Sequence, residues 1–467
     1  MTEAVAIPIT ALLPLVLFPG LGVMSMADTA APYANDLIFL FMGGFFLAAG
    51  MESTGLHRRI ALNVVGAVGT SPERLVLGFM LATALISMWI SNTATAAMML
   101  PIGLAVVELF RTSDGAAGGG AAESDSPDGA GDGAPGTGNE LGVSLMLGLA
   151  YGASIGGVST LIGTPPNAVV AGAASELLGI EIGFAQWMIV GVPVSMIMLP
   201  ITWLMLVKVL HPPGKQHADA DALLAAEKKA LGPMSVAEKR VAAVFVLAAS
   251  GWLLRAPKSL GSVDLPGLQT WIPELRDSTI AMAAAFLLFL LPVGRPADPD
   301  SGVRSTGRLL EWDRARQIPW GVLILFGGGL SLARAMDRSE LSAWIGSGIA
   351  ELASVPNFVL FGAIALLFVF LTEITSNAAT ATMAMPILAG AGVALGIPPL
   401  PLMITAGLAA SMAFMLPVAT PPNAIVFGSN YLTIPQMARA GFLLNLIAVA
   451  LIALVAVTLL PFAFPAP

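Results

Sequence analysis

The chain has 467 residues, 56% of them hydrophobic and only 11% charged, with a formal net charge of −8. Soluble domains carry about 25% charged residues, so a mean hydropathy of +0.85 marks a polytopic membrane protein. The acidic balance and the lack of a basic-aromatic surface exclude nucleic acid as a partner, and the absence of cysteine excludes disulfides and thiolate metal sites.

The chain opens on Met1-Thr2-Glu3, without the basic segment of a cleavable signal, and runs into an apolar stretch from Ile7 to Val23. Apolar length predicts spanning helices near 6–24, 36–54, 141–175, 186–210, 239–256, 277–294, 318–335, 400–429 and 437–463, an all-α fold. Thr164-Pro165-Pro166-Asn167 interrupts 141–175, and Thr420-Pro421-Pro422-Asn423 interrupts 400–429. Proline removes a backbone donor and clashes with the preceding turn, so both helices are expected to be broken. The insert 112–140 has no Lys or Arg and sets Asp and Glu among Gly, Ala, Ser and Pro, the composition of a disordered loop. Residues 211–238 read as a cytoplasmic linker, with an interfacial amphipathic helix around Lys228-Lys229.

Two further apolar runs, 76–110 and 358–395, carry polar knots at their centres: Ser91-Asn92-Thr93 and Ser376-Asn377-Ala378. Each knot leaves arms of about fifteen residues, whereas a helix needs about twenty to cross a bilayer. The expectation is a pair of re-entrant helical hairpins with polar tips, a geometry tolerated only where irregular backbone is buried in protein or lines a cavity.

These parts recur in order. Ser91 and Ser376 are 376 − 91 = 285 apart, the Thr-Pro-Pro-Asn motifs 420 − 164 = 256 apart, and the difference of 29 matches the insert. Gly43-Gly44 and Gly327-Gly328 precede the respective hairpins. Five crossings separate the two glycine-bearing helices, and an odd number inverts the second repeat, as in many secondary transporters. The division expected is 1–210, linker 211–238 and 239–467. With a cytoplasmic N-terminus, sixteen of the 21 Lys and Arg fall inside and five outside, which satisfies the positive-inside rule.

A hairpin tip opposed by an unwound segment offers carbonyls and hydroxyls to a hard cation and helix N-termini to an anion. Such a lining suits Na⁺ and carboxylate or sulfate oxygens better than a transition metal, and the three histidines, His57, His211 and His217, are expected in loops. A single Ser-Asn-Thr in a membrane helix ordinarily glues helices together; its recurrence beside a recurring Thr-Pro-Pro-Asn points to ligand binding. Glu373 is a functional candidate as an intramembrane carboxylate, with a structural role and proton coupling both open. Glu52 is expected to pair with Arg58 and Arg59. No Ser/Lys, Asp/Asp or His/Glu pair lies on facing apolar segments, which argues against an intramembrane hydrolase.

The twin tips and the twin Thr-Pro-Pro-Asn-Ala motifs resemble those of the divalent anion:sodium symporters. The resemblance implies a homodimer in the cell's inner (plasma) membrane, carrying a small dianion with Na⁺ by elevator-type movement. It implies one sodium site near Ser87, Ser91, Asn92 and Gly163 and a second near Thr372, Thr375, Asn377 and Ala419. Substrate contacts implied are Asn92, Thr93, Thr164, Pro165, Asn377, Ala378, Thr420 and Pro421. At Ala378 the dicarboxylate members of the family have threonine, which bears on the second carboxylate contact; the expectation is a sodium-coupled symporter of C4-type dicarboxylates such as succinate, malate or fumarate, with a smaller dianion such as sulfate as the alternative.

Overall fold

The computed structural model describes residues 5–117, 140–214, 220–260, 263–294, 307–347 and 354–465. These are helical apart from an antiparallel ribbon, Lys258–Leu260 with Val263–Leu265, and one bridge between Pro292 and Arg308. Among the described residues, five helices are long and apolar enough to cross a membrane: Met26–Thr54, Asn92–Phe110, Phe184–Leu210, Asn377–Leu395 and Ile434–Thr458. Capping boxes at Ser235 and Thr433 start the helices Val236–Leu254 and Ile434–Thr458 by satisfying N–H groups that have no partner within the helix.

Both runs with polar centres are helix–turn–helix units: Pro72–Ser87 with Asn92–Ala117, and Asn357–Thr372 with Asn377–Leu395. The second arms exceed the fifteen residues expected, because Pro101 and Pro386 lie within them without ending them. The helix Asn92–Ala117 also carries into the region expected as disordered insert; residues 118–139 lie outside the described part. Both broken helices are present, as Glu140–Gly157 then Pro165–Leu178, and Pro399–Ala410 then Pro421–Phe427.

The segment 6–24 is not the single spanning helix expected. It forms Ile7–Thr10 and Pro14–Gly20, because Pro14 has no N–H to continue the hydrogen-bond ladder, and Tyr33 Oη donates to Ala11 O at 2.6 Å; Pro19 lies inside the second helix without ending the first. Residues 55–75, unassigned from sequence, contain the amphipathic helix Leu56–Val68, so His57 is helical rather than in a loop. Arg58 and Arg59 pair with Glu227 and Glu238 of the linker region instead of with Glu52. Where an amphipathic helix was expected in the linker, Ala220–Leu231 is helical, and it packs on Leu56–Val68.

Small residues set the packing. On Glu140–Gly157 a stripe of Gly148, Gly152 and Gly156, spaced every fourth residue, faces Pro72–Ser87, and a Cβ at Gly156 would lie 2.3 Å from Ala84 O. Backbones meet there without side chains between them, the usual device for helix contacts in lipid. Gly327, Gly328 and Gly329 similarly admit Tyr33, Ala11 and Thr382. Each hairpin's first arm packs on its own half's broken helix. The second arms do so too, Asn92–Ala117 on Glu140–Gly157 and Asn377–Leu395 on Pro399–Ala410, and in addition each reaches the other broken helix, Asn92–Ala117 at Pro421–Phe427 and Asn377–Leu395 at Pro165–Leu178. This exchange brings the hairpin turns and both helix breaks into one region.

Candidate functional site

At the first turn, Pro72–Ser87 ends and Asn92 opens the next helix. Ser87 Oγ donates to Ala153 O at 2.7 Å and lies 2.6 Å from one amide position of Asn92. That position is also 3.2 Å from Ala153 O and 3.3 Å from Gly163 O. Amide orientation follows from the hydrogen-bond network. With nitrogen there, Asn92 donates to all three neighbours; with oxygen there, Ser87 Oγ, Asn92 Oδ1, Ala153 O and Gly163 O converge as the donor set of a hard cation. The site has no room for a methyl group at Gly157, whose Cβ would lie 2.5 Å from Asn92 Oδ1.

Gly163 O is available because residues 158–164 are not α-helical, whereas Ala153 O is contributed from the last turn of Glu140–Gly157. Asn167, fully buried, holds that break open by donating Nδ2 to Thr160 O at 2.7 Å and Gly157 O at 3.1 Å. Trp187 Nε1 takes Val158 O at 3.0 Å, and Thr160 Oγ1 donates to Met88 O, tying the break to the hairpin turn.

The second site repeats this wiring. Thr372 Oγ1 donates to Asn377 Oδ1 at 2.8 Å and approaches Ala410 O at 3.1 Å. Asn423, matched to Asn167, donates Nδ2 to Leu416 O at 3.0 Å and Ala413 O at 3.4 Å. The difference lies in what secures the longer break 411–420. Glu373, 3% exposed, accepts from the backbone N–H of Phe414, Met415 and Leu416 at 2.8, 2.9 and 3.1 Å and from Asn445 Nδ2 at 2.8 Å. Tyr151, from the other half, donates its hydroxyl to Phe414 O at 3.0 Å. Four donors on one carboxylate give Glu373 a structural place in the second break.

Of the sodium residues expected, the structure brings together Ser87, Asn92 and Gly163, and Thr372 with Asn377. Ser91 instead accepts from Ala94 N at 3.3 Å and borders a cavity of about 340 Å³ with Glu52, Arg314 and Gln317. Thr375 is engaged with Leu371 O at 2.8 Å and with Thr380, and Ala419 N bonds Leu416 O at 3.2 Å. Of the substrate residues, Thr93 and Pro421 are exposed, Pro165 is half-buried, and Thr164, Thr420 and Ala378 are buried. Thr420 accepts from Asn423 N at 3.4 Å. The N-termini at Asn92, Pro165 and Asn377 give this region positive ends of helices 14 residues or longer, suited to an anion.

Ala153 and Ala410 went unnoticed in the sequence because they contribute carbonyls, which carry no side-chain signature. Asn445 is a lone amide in an apolar helix, and Tyr151 lies in the opposite half; neither has a local signal.

Residues 1–462 match the family model described as the sodium:sulfate symporter transmembrane region. The chain is 41% identical over 466 residues to the sodium-dependent dicarboxylate transporter SdcS of Staphylococcus saprophyticus, covering 98% of this chain and 83% of that one. The SdcS of Staphylococcus aureus strain USA300 is 40% identical over 468 residues, with the same coverage. Among solved structures, the Alcanivorax borkumensis YdaH transporter shares the fold, with a TM-score of 0.56 and 16% identity over 97% of this chain and 90% of that one. With the family model spanning nearly the whole sequence and relatives alike almost end to end, the chain belongs to the sodium:sulfate symporter family of membrane transporters, the divalent anion:sodium symporters whose paired motifs it carries, and not to an enzyme family.

Proposed function

We propose that this protein is a sodium-coupled symporter of C4-type dicarboxylates such as succinate, malate or fumarate. The observation that carries the reading is the pair of matched oxygen clusters, Ser87–Asn92–Ala153 O–Gly163 O and Thr372–Asn377–Ala410 O, at the turns of matched hairpins. Hard oxygen donors at unwound backbone suit Na⁺, and the adjoining helix N-termini suit carboxylates. Relatives described as sodium-dependent dicarboxylate transporters support the same cargo.

In this mechanism the two halves, 1–210 and 239–467, act as inverted repeats, and the hairpins are re-entrant. Na⁺ replaces the hydrogen bonds that otherwise close each cluster, which fixes Asn92 and Asn377 with their amide nitrogens turned toward the anion. Thr93, Thr164 and Thr420 add hydroxyls, and Pro165 and Pro421 keep the helix starts unwound. The hairpins and broken helices then move together, elevator-fashion, within a homodimer in the plasma membrane, the N-terminus cytoplasmic.

Ala378 favours a second reading, a smaller dianion such as sulfate, because it offers a methyl group where Thr93 offers a hydroxyl. Uptake of labelled succinate and of labelled sulfate into proteoliposomes, with and without an inward Na⁺ gradient, separates the two. Succinate uptake should require Na⁺ and be lost in Asn92→Ala and in Asn377→Ala. Uptake of sulfate alone would replace the dicarboxylate assignment, and full activity in either variant would remove the two-cluster mechanism.

A further inference from the structure

Ser87 and Asn92, the side chains of the first cluster, flank the turn 88–91, and Trp89 stands in it. The first arm's hydrogen-bond ladder extends to Ile90 N, which donates to Ile86 O at 3.0 Å, and the second arm's begins at Ser91 O, which accepts from Thr95 N at 3.0 Å. Between them the path of the turn is set by tertiary contacts, and two of these reach beyond the hairpin. Met88 O accepts from Thr160 Oγ1 in the first break. Trp89, half-buried, lays its indole against other rings, nearly parallel to Phe184 and Trp252 at 5.9 and 6.4 Å between centroids and edge-on to Phe245 at 4.7 Å. Phe184 and Trp252 stack on each other at 4.4 Å, and Asp277 holds both: its Oδ2 accepts from Phe184 N at 2.7 Å and its carbonyl from Trp252 Nε1 at 3.0 Å. Arg255 Nε, 2.7 Å from Asp277 Oδ1, fixes that carboxylate in turn. Phe245 and Trp252 belong to Val236–Leu254, so the indole ties the first turn to a helix outside the hairpin and outside both breaks. The second turn is not supported in this way. Its matched residue, 89 + 285 = 374, is Ile374, 65% exposed, and Phe184, which opens its helix, is matched by Ile434, 52% exposed at the start of its own.

We propose that Trp89 is a positioning residue: its seat on the Phe184–Phe245–Trp252 wall holds the first turn where Ser87 and Asn92 meet Ala153 O and Gly163 O, and so makes cation affinity at the first cluster depend on where the hairpin lies against Val236–Leu254. The proposal rests on the sodium-coupled reading above. A binding constellation tolerates about 0.5 Å of displacement. A turn that leaves its seat for part of the time binds more weakly in proportion, because apparent affinity falls with the fraction of molecules in the competent arrangement. Movement of the hairpin away from the wall therefore loosens the first cluster, whereas the second, whose turn presents Ile374 instead, keeps its affinity.

The test is the Na⁺ concentration giving half-maximal thermal stabilisation of the purified protein without substrate, with choline holding ionic strength constant. From the ordinary strength of aromatic contacts, Trp89→Ala should raise that concentration about three- to tenfold, while Trp89→Phe, which keeps a ring on the wall, should stay within about twofold of wild type. Phe245→Leu alters the wall rather than the cluster and should raise it in the same direction. Combined with Trp89→Ala it should add less than its separate effect, since both remove one contact. Ile374→Ala should leave the concentration unchanged. Packing without positioning would lower the melting temperature in choline and leave the Na⁺ midpoint in place. That result in Trp89→Ala and Phe245→Leu, fully multiplicative effects in the double variant, or an equal rise in Ile374→Ala overturns the proposal; Phe245→Leu set against Ile374→Ala decides it even if Trp89→Ala does not fold. Identical melting of the wild type in sodium and choline would instead overturn the sodium-coupled reading, and this proposal with it.

Discussion

Gly157→Ala isolates the first cluster from the stability of the fold. Gly157 is the last residue of Glu140–Gly157, and a Cβ there would lie 2.5 Å from Asn92 Oδ1 and 3.1 Å from its Nδ2. Ordinary contact begins at 3.4 Å, so the amide must retreat by 3.4 − 2.5 = 0.9 Å. Binding constellations tolerate about 0.5 Å, so Asn92 leaves the cluster and three oxygens remain of four. A lost charge-assisted contact is worth about 1.5–3 kcal/mol, or roughly ten- to 150-fold in Na⁺ affinity. Helix propensity works the other way, since Ala is favoured over Gly by about 0.5–1 kcal/mol. The expected variant therefore keeps its apparent melting temperature in choline and needs ten- to 150-fold more Na⁺ for half-maximal stabilisation and uptake. Gly362→Ala is the control: its Cβ would come no nearer than 3.8 Å to Ala453, so it should leave Na⁺ dependence untouched. Wild-type Na⁺ dependence in Gly157→Ala would refute the placement of Asn92 Oδ1 among the cation's ligands.

Three further outcomes follow from particular contacts. Asn167→Ala strands the carbonyls of Thr160 and Gly157 in a buried break and should cost about 2–4 kcal/mol, read as a lower melting temperature in detergent; Asn423→Ala, whose bonds are longer, should cost less. Glu340 has a left-handed backbone, φ +58, at the place matched by Gly55, φ +77, so Glu340→Gly should raise stability by about 1 kcal/mol in thermal unfolding while Gly55→Ala lowers it similarly. Burial holds His57 below its ordinary value of 6.5. The unfolded chain then takes up the proton first, so this contribution to stability is complete above the unfolded value and is lost as pH falls toward the folded one; melting curves of His57→Gln should be flatter with pH across that interval.

How far the sequence reached can be judged from single residues. Periodic apolar length located most of the helices, and the recurrence of Ser-Asn and Thr-Pro-Pro-Asn located both hairpin turns and both breaks, because proline and hydroxyl knots act locally on the backbone that bears them. The same local logic failed at 6–24, where Pro14 divides an otherwise continuous apolar run, and at Pro101 and Pro386, where a helix continues past its proline. It failed at Glu52 because sequence proximity to Arg58 and Arg59 says nothing about the linker residues Glu227 and Glu238 that reach them.

Membrane residence and the recurring Ser-Asn and Thr-Pro-Pro-Asn motifs were determined by the sequence alone, since composition and motif spacing are properties of the chain, and the resemblance of those motifs pointed to the transporter family and to Ser87 and Thr372 beside Asn92 and Asn377. Only the tertiary structure decided which carbonyls complete the clusters, that Asn167 and Asn423 hold the breaks, and that Glu373 receives N–H groups of Phe414, Met415 and Leu416 and the amide of Asn445. Those choices depend on backbone direction and, for Glu373, on residues 41 to 72 positions apart meeting in space, and neither is written in the identity of any one residue.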